Sequence, residues 1–268
     1  MPRLNPVGAF FAGIFWFGYA YVGRVGRAVI MLGSVYSLIA VFAWARWILD
    51  PSYLYLLTAS VLIVYLIAIF HPVLIAVRNP ESPRKPYNKW WFYLAWVVAN
   101  GLFAEAFLGN RGVILGYETY RIPSASMAPT LQPGDLLTAD TWHYREEAPL
   151  PGDIVAYEVA PGAGVMYIKR IVGVPGDRIE VREGRLFRNG GQAPEIYMDS
   201  SLRVGGADFP PMTLAPGEYF VLGDNRSNSR DSRFHGPVPI DRIHGRIESI
   251  WFSFAGSGRF PARFRYGT

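Results

Sequence analysis

The chain contains no cysteine. That excludes disulfides, thiolate nucleophiles and zinc-thiolate sites together, while leaving the compartment open, because a domain of this size can be stable without bridges. Histidine is scarce too. His71, His143, His235 and His244 are the full set and fall in no HExxH-like spacing, so they read as surface or turn residues and no metal site is expected. Lysine is the third scarcity: Lys85, Lys89 and Lys169 are the only ones, and Lys169 stands alone after residue 89 among seventeen arginines. An arginine stays charged under almost all conditions, whereas a lysine in an apolar setting can lose its proton and act as a base. Lys169 has such a setting, the run Val165-Met166-Tyr167-Ile168-Lys169-Arg170-Ile171-Val172.

Negative charge is sparse in the first part of the chain. Up to Gly109 the acids are Asp50, Glu81 and Glu105, against Arg3, Arg24, Arg27, Arg46, Arg78, Arg84, Lys85 and Lys89. The whole formal excess of +5 over 268 residues therefore belongs to the apolar part, and the remainder is balanced. Basic residues flanking apolar stretches read as topology-setting groups, and no nucleic-acid partner is expected.

Residues 1–109 read as a membrane region with three to four helical segments, at about 4–23, 28–47, 52–77 and 90–108. Each approaches the roughly 20 residues that cross a bilayer core as a helix. The first carries Gly8, Gly13 and Gly18 with arginine on both sides, so a re-entrant hairpin and a true span both remain open. It lacks the ordered basic region, short apolar region and small-residue site of a cleavable signal peptide. The densest basic loop, Arg78 to Lys89, belongs in the cytoplasm by the positive-inside rule. That orientation places the turn Trp47 to Ser52 and everything after the fourth segment on the other side, and Trp90, Trp91 and Tyr93 at the cytoplasmic interface. Residues 110–268 are then an extracytoplasmic, β-rich domain.

From Tyr117 onward the apolar runs are short and punctuated by Pro133-Gly134-Asp135, Pro151-Gly152-Asp153, Pro175-Gly176-Asp177 and Pro216-Gly217-Glu218. Proline then glycine at the two central positions suits a type II turn, and β-prone residues follow each one. A hairpin is expected over Arg178 to Arg188, with Asn189-Gly190 after it. The aromatic tail from Trp251 to Tyr266, with Arg259, Arg263 and Arg265, suits either a membrane surface or an edge strand. The fold class is membrane-anchored and mainly β, with N-terminal helical segments followed by a compact β-rich domain.

Three constellations carry chemistry. Ser124 and Ser126 lie in a stretch constrained by Pro123 and Pro129, and serine becomes a nucleophile once a base takes its proton. Lys169, in a strand whose alternate positions are apolar, offers a base with a pKa lowered by desolvation. Arg170 would point to the other face. The third is the polar run from Gly223-Asp224-Asn225-Arg226 to Ser229-Arg230-Asp231-Ser232-Arg233, short side chains suited to holding a buried lysine in one orientation. A Ser/His/Asp triad stays open at this level.

These motifs resemble the type I signal peptidases, a family of Ser/Lys endopeptidases. The resemblance rests on Ile122 to Leu131, Pro151 to Val155, Tyr167 to Asp177 and Gly223 to Arg233, in the family's order. It implies Ser126 as nucleophile and Lys169 as general base, with the Ser124 hydroxyl and the Ser126 backbone N–H as oxyanion hole. It implies supporting roles for Tyr167, Ser229, an Asp231 and Arg233 ion pair, and Asp224 and Asn225. The implied reaction is removal of signal peptides after small residues through an acyl-enzyme, without a cofactor. The implied partners are signal-peptide-bearing preproteins, the lipid bilayer and the protein export machinery, at a cell inner (cytoplasmic) membrane. The chain departs from the family in Ser227, where many relatives are acidic, and in its additional N-terminal segments. Two competing readings are a self-cleaving Ser/Lys protease and a membrane scaffold or transporter-like protein with an inactive peptidase-like domain.

Overall fold

The computed structural model describes residues 3–82, 85–162, 164–198, 206–256 and 262–264. Arg84 of the basic loop and Arg259, Phe260, Arg265 and Tyr266 of the aromatic tail lie outside the described residues. The chain divides into two compact units, Met1–Ile48 with Ser52–Leu115, and Leu49–Pro51 with Gly116–Thr268.

The first unit is helical: α1 (Pro6–Ile14), α2 (Gly18–Tyr21), α3 (Val25–Trp44), α4 (Pro51–Arg78), α5 (Trp90–Leu108) and the short α6 (Arg111–Ile114). The first apolar stretch is thus two short helices and no single span. Trp16, at φ 64°, breaks it. Asn5 caps α1 by accepting from the Val7 N–H, with Pro6 in the first turn, where its missing N–H has no helical partner anyway. Glycine lets α1 and α2 approach α4: a Cβ on Gly13 would lie 2.8 Å from Ile69 Cα, and one on Gly18 would lie 3.0 Å from Ala68 O. That carbonyl lacks the usual donor four residues on, because Pro72 has no N–H. The three long helices, of 20, 28 and 19 residues, are long and apolar enough to cross a membrane.

The second unit is mainly β. Its strands are β1 (Tyr117–Arg121), β2 (Asp135–Asp140), β3 (Ile154–Glu158), β4 (Met166–Gly173), β5 (Arg178–Arg182), β6 (Arg185–Arg188), β7 (Gly191–Gln192), β8 (Phe209–Thr213), β9 (Glu218–Leu222), β10 (Val238–Pro239), β11 (Ile243–Ser253) and β12 (Ala262–Arg263). Among the described residues they form one eight-stranded sheet in the order β1-β2-β11-β3-β4-β9-β10, with β12 on β11, and a four-stranded sheet β7-β6-β5-β8. A short helix, α7 (Ser232–His235), follows β9.

The Pro-Gly-acid pattern has a common geometry. In each case the acid's N–H closes the turn onto the carbonyl three residues back, as in Asp135 to Gln132 at 3.0 Å and Asp153 to Leu150 at 3.1 Å. Its carboxylate then accepts the N–H of that same earlier residue, at 2.8 Å for Gln132 and 3.0 Å for Leu150. Gly134 and Gly152 adopt φ of 96° and 103°, the conformation a type II turn demands at its third residue. The Arg178–Arg188 hairpin turns at Glu183 and Gly184, while Asn189-Gly190 turns β6 into β7.

Strand alternation distributes the core. Ile154 and Ala156 pack with Leu137, Ile168 and Ile247, whereas Val155 and Tyr157 pack with Ile171 and Val221. Phe220 and Leu222 join Ile179, Val181 and Leu186 of the smaller sheet in a third cluster.

Candidate active site

The segment between β1 and β2 is held at both ends. The Ile122 N–H donates to Asp135 O at 2.9 Å and the Gly134 N–H to Ile122 O at 2.8 Å. Ile122, Met127 and Leu131 sink into the same apolar cluster as Leu137 and Ile168. Between these anchors Ser124 is exposed and Ser126 is half-buried. Apolar pinning on either side fixes the backbone that presents the Ser126 hydroxyl.

Lys169 lies in β4, flanked by β3 and β9, and is 4% exposed. Its Nζ donates to Ser126 Oγ at 2.9 Å and to Ile168 O at 2.9 Å. Burial lowers its pKa to about 8, against the opposing pull of the Asp231 and Asp224 carboxylates. Ser124 Oγ lies 3.3 Å from Ser126 Oγ. Among the described residues these are the hydrogen bonds of the Ser126 hydroxyl, and no histidine makes one.

The loop after β9 closes over the serine segment. Gly223 packs so near that a Cβ there would lie 2.5 Å from Ser126 O. The Asn225 N–H donates to Ser126 O and its Nδ2 to Ala125 O, both at 3.1 Å. Asp224 takes a two-pronged hydrogen bond from Arg170, Nε to Oδ1 at 2.9 Å and Nη2 to Oδ2 at 2.7 Å, and accepts from Thr130 Oγ1 at 2.6 Å. The Arg170 guanidinium also lies 4.0 Å from the centre of the Tyr197 ring. One carboxylate therefore ties the serine segment to the lysine strand.

Asp231 and Arg233 form a second forked pair, at 2.8 and 2.9 Å, and Asp231 Oδ2 accepts the Gly223 N–H at 3.0 Å. Burial on its own would raise the Asp231 carboxyl; the Arg233 hydrogen bond and charge, with the Gly223 N–H, hold it below the ordinary value. Ser229 is buried in this loop and its carbonyl accepts from Arg233 at 3.4 Å. The lysine amine bonds to Ser126 and Ile168, so the contact with Ser229 that the resemblance implies is not among its hydrogen bonds. Tyr167 lies at the half-buried start of β4, its ring 5.9 Å from that of Tyr157.

The sequence reading gave Arg170, Thr130, Glu195 and Arg226 no role. Arg226 is fully buried and pairs with Glu195, and it also donates to Gly223 O at 3.1 Å, bracing the loop from below. The available signal was physical: an arginine in an apolar strand needs a carboxylate, and Asp224 lies in the neighbouring motif. Its partner lies 54 residues away, beyond any local spacing. His71, His143 and His235 have partners away from Ser126. His235 Nε2 lies 3.1 Å from Tyr157 Oη. Donor atoms of Asp140, His143 and Glu248 fall within 4.8 Å of one another, but Arg246 Nε already bonds Glu248 at 2.7 Å and supplies counter-charge there.

A buried lysine amine on a serine hydroxyl, under a clamped polar loop, is the arrangement that the family comparison bears on. The family model "Signal peptidase, peptidase S26" matches residues 92–252. The chain belongs to this family. It is 37% identical over 174 residues to "Probable signal peptidase I-2" of Synechocystis sp., covering 63% of this chain and 75% of that one. It is 34% identical over 186 residues to "Signal peptidase I T" of Bacillus subtilis, covering 66% and 94%. A crystal structure of a signal peptidase I from Enterococcus faecalis matches at 34% identity over 37% of this chain and 97% of its own, with a TM-score of 0.33. The family match spans most of the β-rich unit, which is a signal-peptidase-like domain preceded in sequence by three apolar helices.

Proposed function

We propose that this peptidase removes signal peptides from preproteins with Ser126 as nucleophile and Lys169 as general base. The observation that carries the assignment is the 2.9 Å contact between Lys169 Nζ and Ser126 Oγ, made by an amine whose pKa burial has lowered to about 8. In its neutral form Lys169 takes the Ser126 proton as Oγ attacks the scissile carbonyl. Negative charge gathers on the carbonyl oxygen, where the Ser124 hydroxyl and the Ser126 N–H donate to it. The protonated lysine returns its proton to the leaving amine, and water, activated by the same lysine, resolves the acyl-enzyme. By family likeness the residues first and third before the cut are small.

The same reading places the protein in a cell inner (cytoplasmic) membrane, with α3, α4 and α5 as spans. Arg24 and Arg27 at the start of α3, Arg78 at the end of α4, and Lys85 and Lys89 before α5 share one edge, which belongs in the cytoplasm. An odd number of spans then carries the β-rich unit to the extracytoplasmic side, where an exported substrate meets it beside the lipid bilayer and the protein export machinery.

The test is cleavage of a preprotein with a small-x-small site by the purified chain, by Ser126→Ala and by Lys169→Ala. Both variants are expected to lose at least about a thousandfold in kcat/KM. Full-rate cleavage by either one would overturn the pairing. Because the chain lacks cysteine, a single cysteine introduced at Asn88 should resist an impermeant thiol reagent in intact cells and one at Gly190 should react; the reverse pattern overturns the orientation.

A further inference from the structure

Residues 3–82 precede the family match. They nevertheless line an open groove of about 700 Å³ between α2, α3 and α4. Its walls are apolar, with Ile30 from α3 and Leu66 and Phe70 from α4. One end is polar: Arg27 stands there beside Tyr19, whose hydroxyl bonds His71 Nδ1 at 2.6 Å.

Among the described residues no acid pairs with the basic groups at that end. Arg24 and Arg27 lie in or just before the first turn of α3, where they run against the helix dipole, a cost that an anion would offset. The Lys85 side chain packs against Gly23 next to them. Of the three acids before Gly109, Glu81 is taken by Arg3 at 3.0 Å, while Asp50 follows the far end of α3 and Glu105 lies near the far end of α5.

We propose that this groove is a binding site for an anionic phospholipid, one acyl chain lying between α3 and α4 and the phosphate on Arg27. The proposal rests on the membrane reading above. The groove wall on α4 runs from Leu74 to Leu66, about 12 Å of helix, close to the roughly 15 Å of one leaflet and far short of the ~30 Å that a spanning peptide needs. A signal peptide is also disfavoured by charge, since its basic leading region would face Arg24 and Arg27. Anionic headgroups, by contrast, concentrate in the cytoplasmic leaflet and are drawn to basic groups at its surface.

The experiment places the full-length chain in bilayers of phosphatidylcholine containing increasing phosphatidylglycerol, then counts lipids retained on the released protein by native mass spectrometry. Preprotein cleavage is followed in the same samples. One phosphatidylglycerol per chain should be retained in preference to phosphatidylcholine. Arg27→Gln should weaken that retention about fivefold or more, since one basic group near an anionic surface is worth about 1 kcal/mol. Leu66→Trp should block the groove, and Arg145→Gln, an exposed arginine of the β-rich unit, should change nothing. Equal retention of the two lipids, or wild-type retention by Arg27→Gln, overturns the site while leaving the peptidase assignment standing. A photo-crosslinker at Ile30 that captures a preprotein and no lipid also overturns it. A chain that cleaves but does not enter the bilayer overturns the membrane reading and this site with it.

Discussion

Arg170 grips Asp224 through two hydrogen bonds, of 2.9 and 2.7 Å, with both side chains almost wholly out of solvent. Arg170 adjoins Lys169 in the strand, and Asp224 reaches Thr130 in the serine segment, so the pair ties the spacing between Lys169 and Ser126. Removing one partner from a buried pair strands the other charge. Asp224→Asn is expected to cost about 3 to 5 kcal/mol of stability. Thermal unfolding of the full chain in detergent measures this, and an unchanged Tm would show that the pair does not brace the site.

As the proposed base, Lys169 should set the pH dependence. A base whose pKa burial has lowered to about 8 is mostly protonated at neutral pH, and only its neutral form can accept the serine proton. The kcat/KM for preprotein cleavage should rise about tenfold per pH unit below 8 and level off above it. A limb centred near 6.5, the ordinary histidine range, would point to a different base.

The same burial costs stability. A lysine lowered from 10.5 to about 8 opposes folding by about 3 kcal/mol while it is protonated. Its folded pKa lies below its unfolded one, so the penalty is full below pH 8 and fades as pH rises toward 10.5. Lys169→Met should abolish cleavage and unfold no more easily than the parent at pH 7. Its advantage should shrink between pH 8 and 10.5 in parallel melts.

Ser124 Oγ lies 3.3 Å from Ser126 Oγ, close enough to reach an oxygen developing at the attacked carbonyl. Loss of such a donor typically costs on the order of a hundred- to a thousandfold in rate. Ser124→Ala should therefore lower kcat with little change in KM, and Ser124→Thr should recover part of it. Steady-state kinetics separates the two parameters.

Gly223 is needed for proximity. A methyl group there would meet Ser126 O at 2.5 Å, forcing the loop and the serine segment apart. Gly223→Ala should cost about 1 to 3 kcal/mol and lower cleavage by shifting the nucleophile. A variant that melts and cleaves like the parent would show that the segment yields freely.

Where local chemistry suffices, the sequence alone settles the outcome. Four Pro-Gly-acid turns close as their residues require, because proline, a glycine free to take positive φ and a carboxylate that caps the turn all lie within four residues. The apolar length of the three long helices is equally plain. Motif order pointed to Ser126 and Lys169 through family likeness, and the scarcity of lysine made Lys169 conspicuous. The first apolar stretch was ambiguous, because its break at Trp16 and its glycine contacts depend on packing against α4. The bracing of the site was hidden for a related reason. Asp224 meets Arg170 and Thr130 across 54 and 94 residues, and Arg226 meets Glu195 across 31, so only the closed β-structure brings them together. Residue type gave Lys169 the ability to lose a proton. Burial among distant strands lowers its pKa, because desolvation belongs to the folded surroundings and not to the chain position.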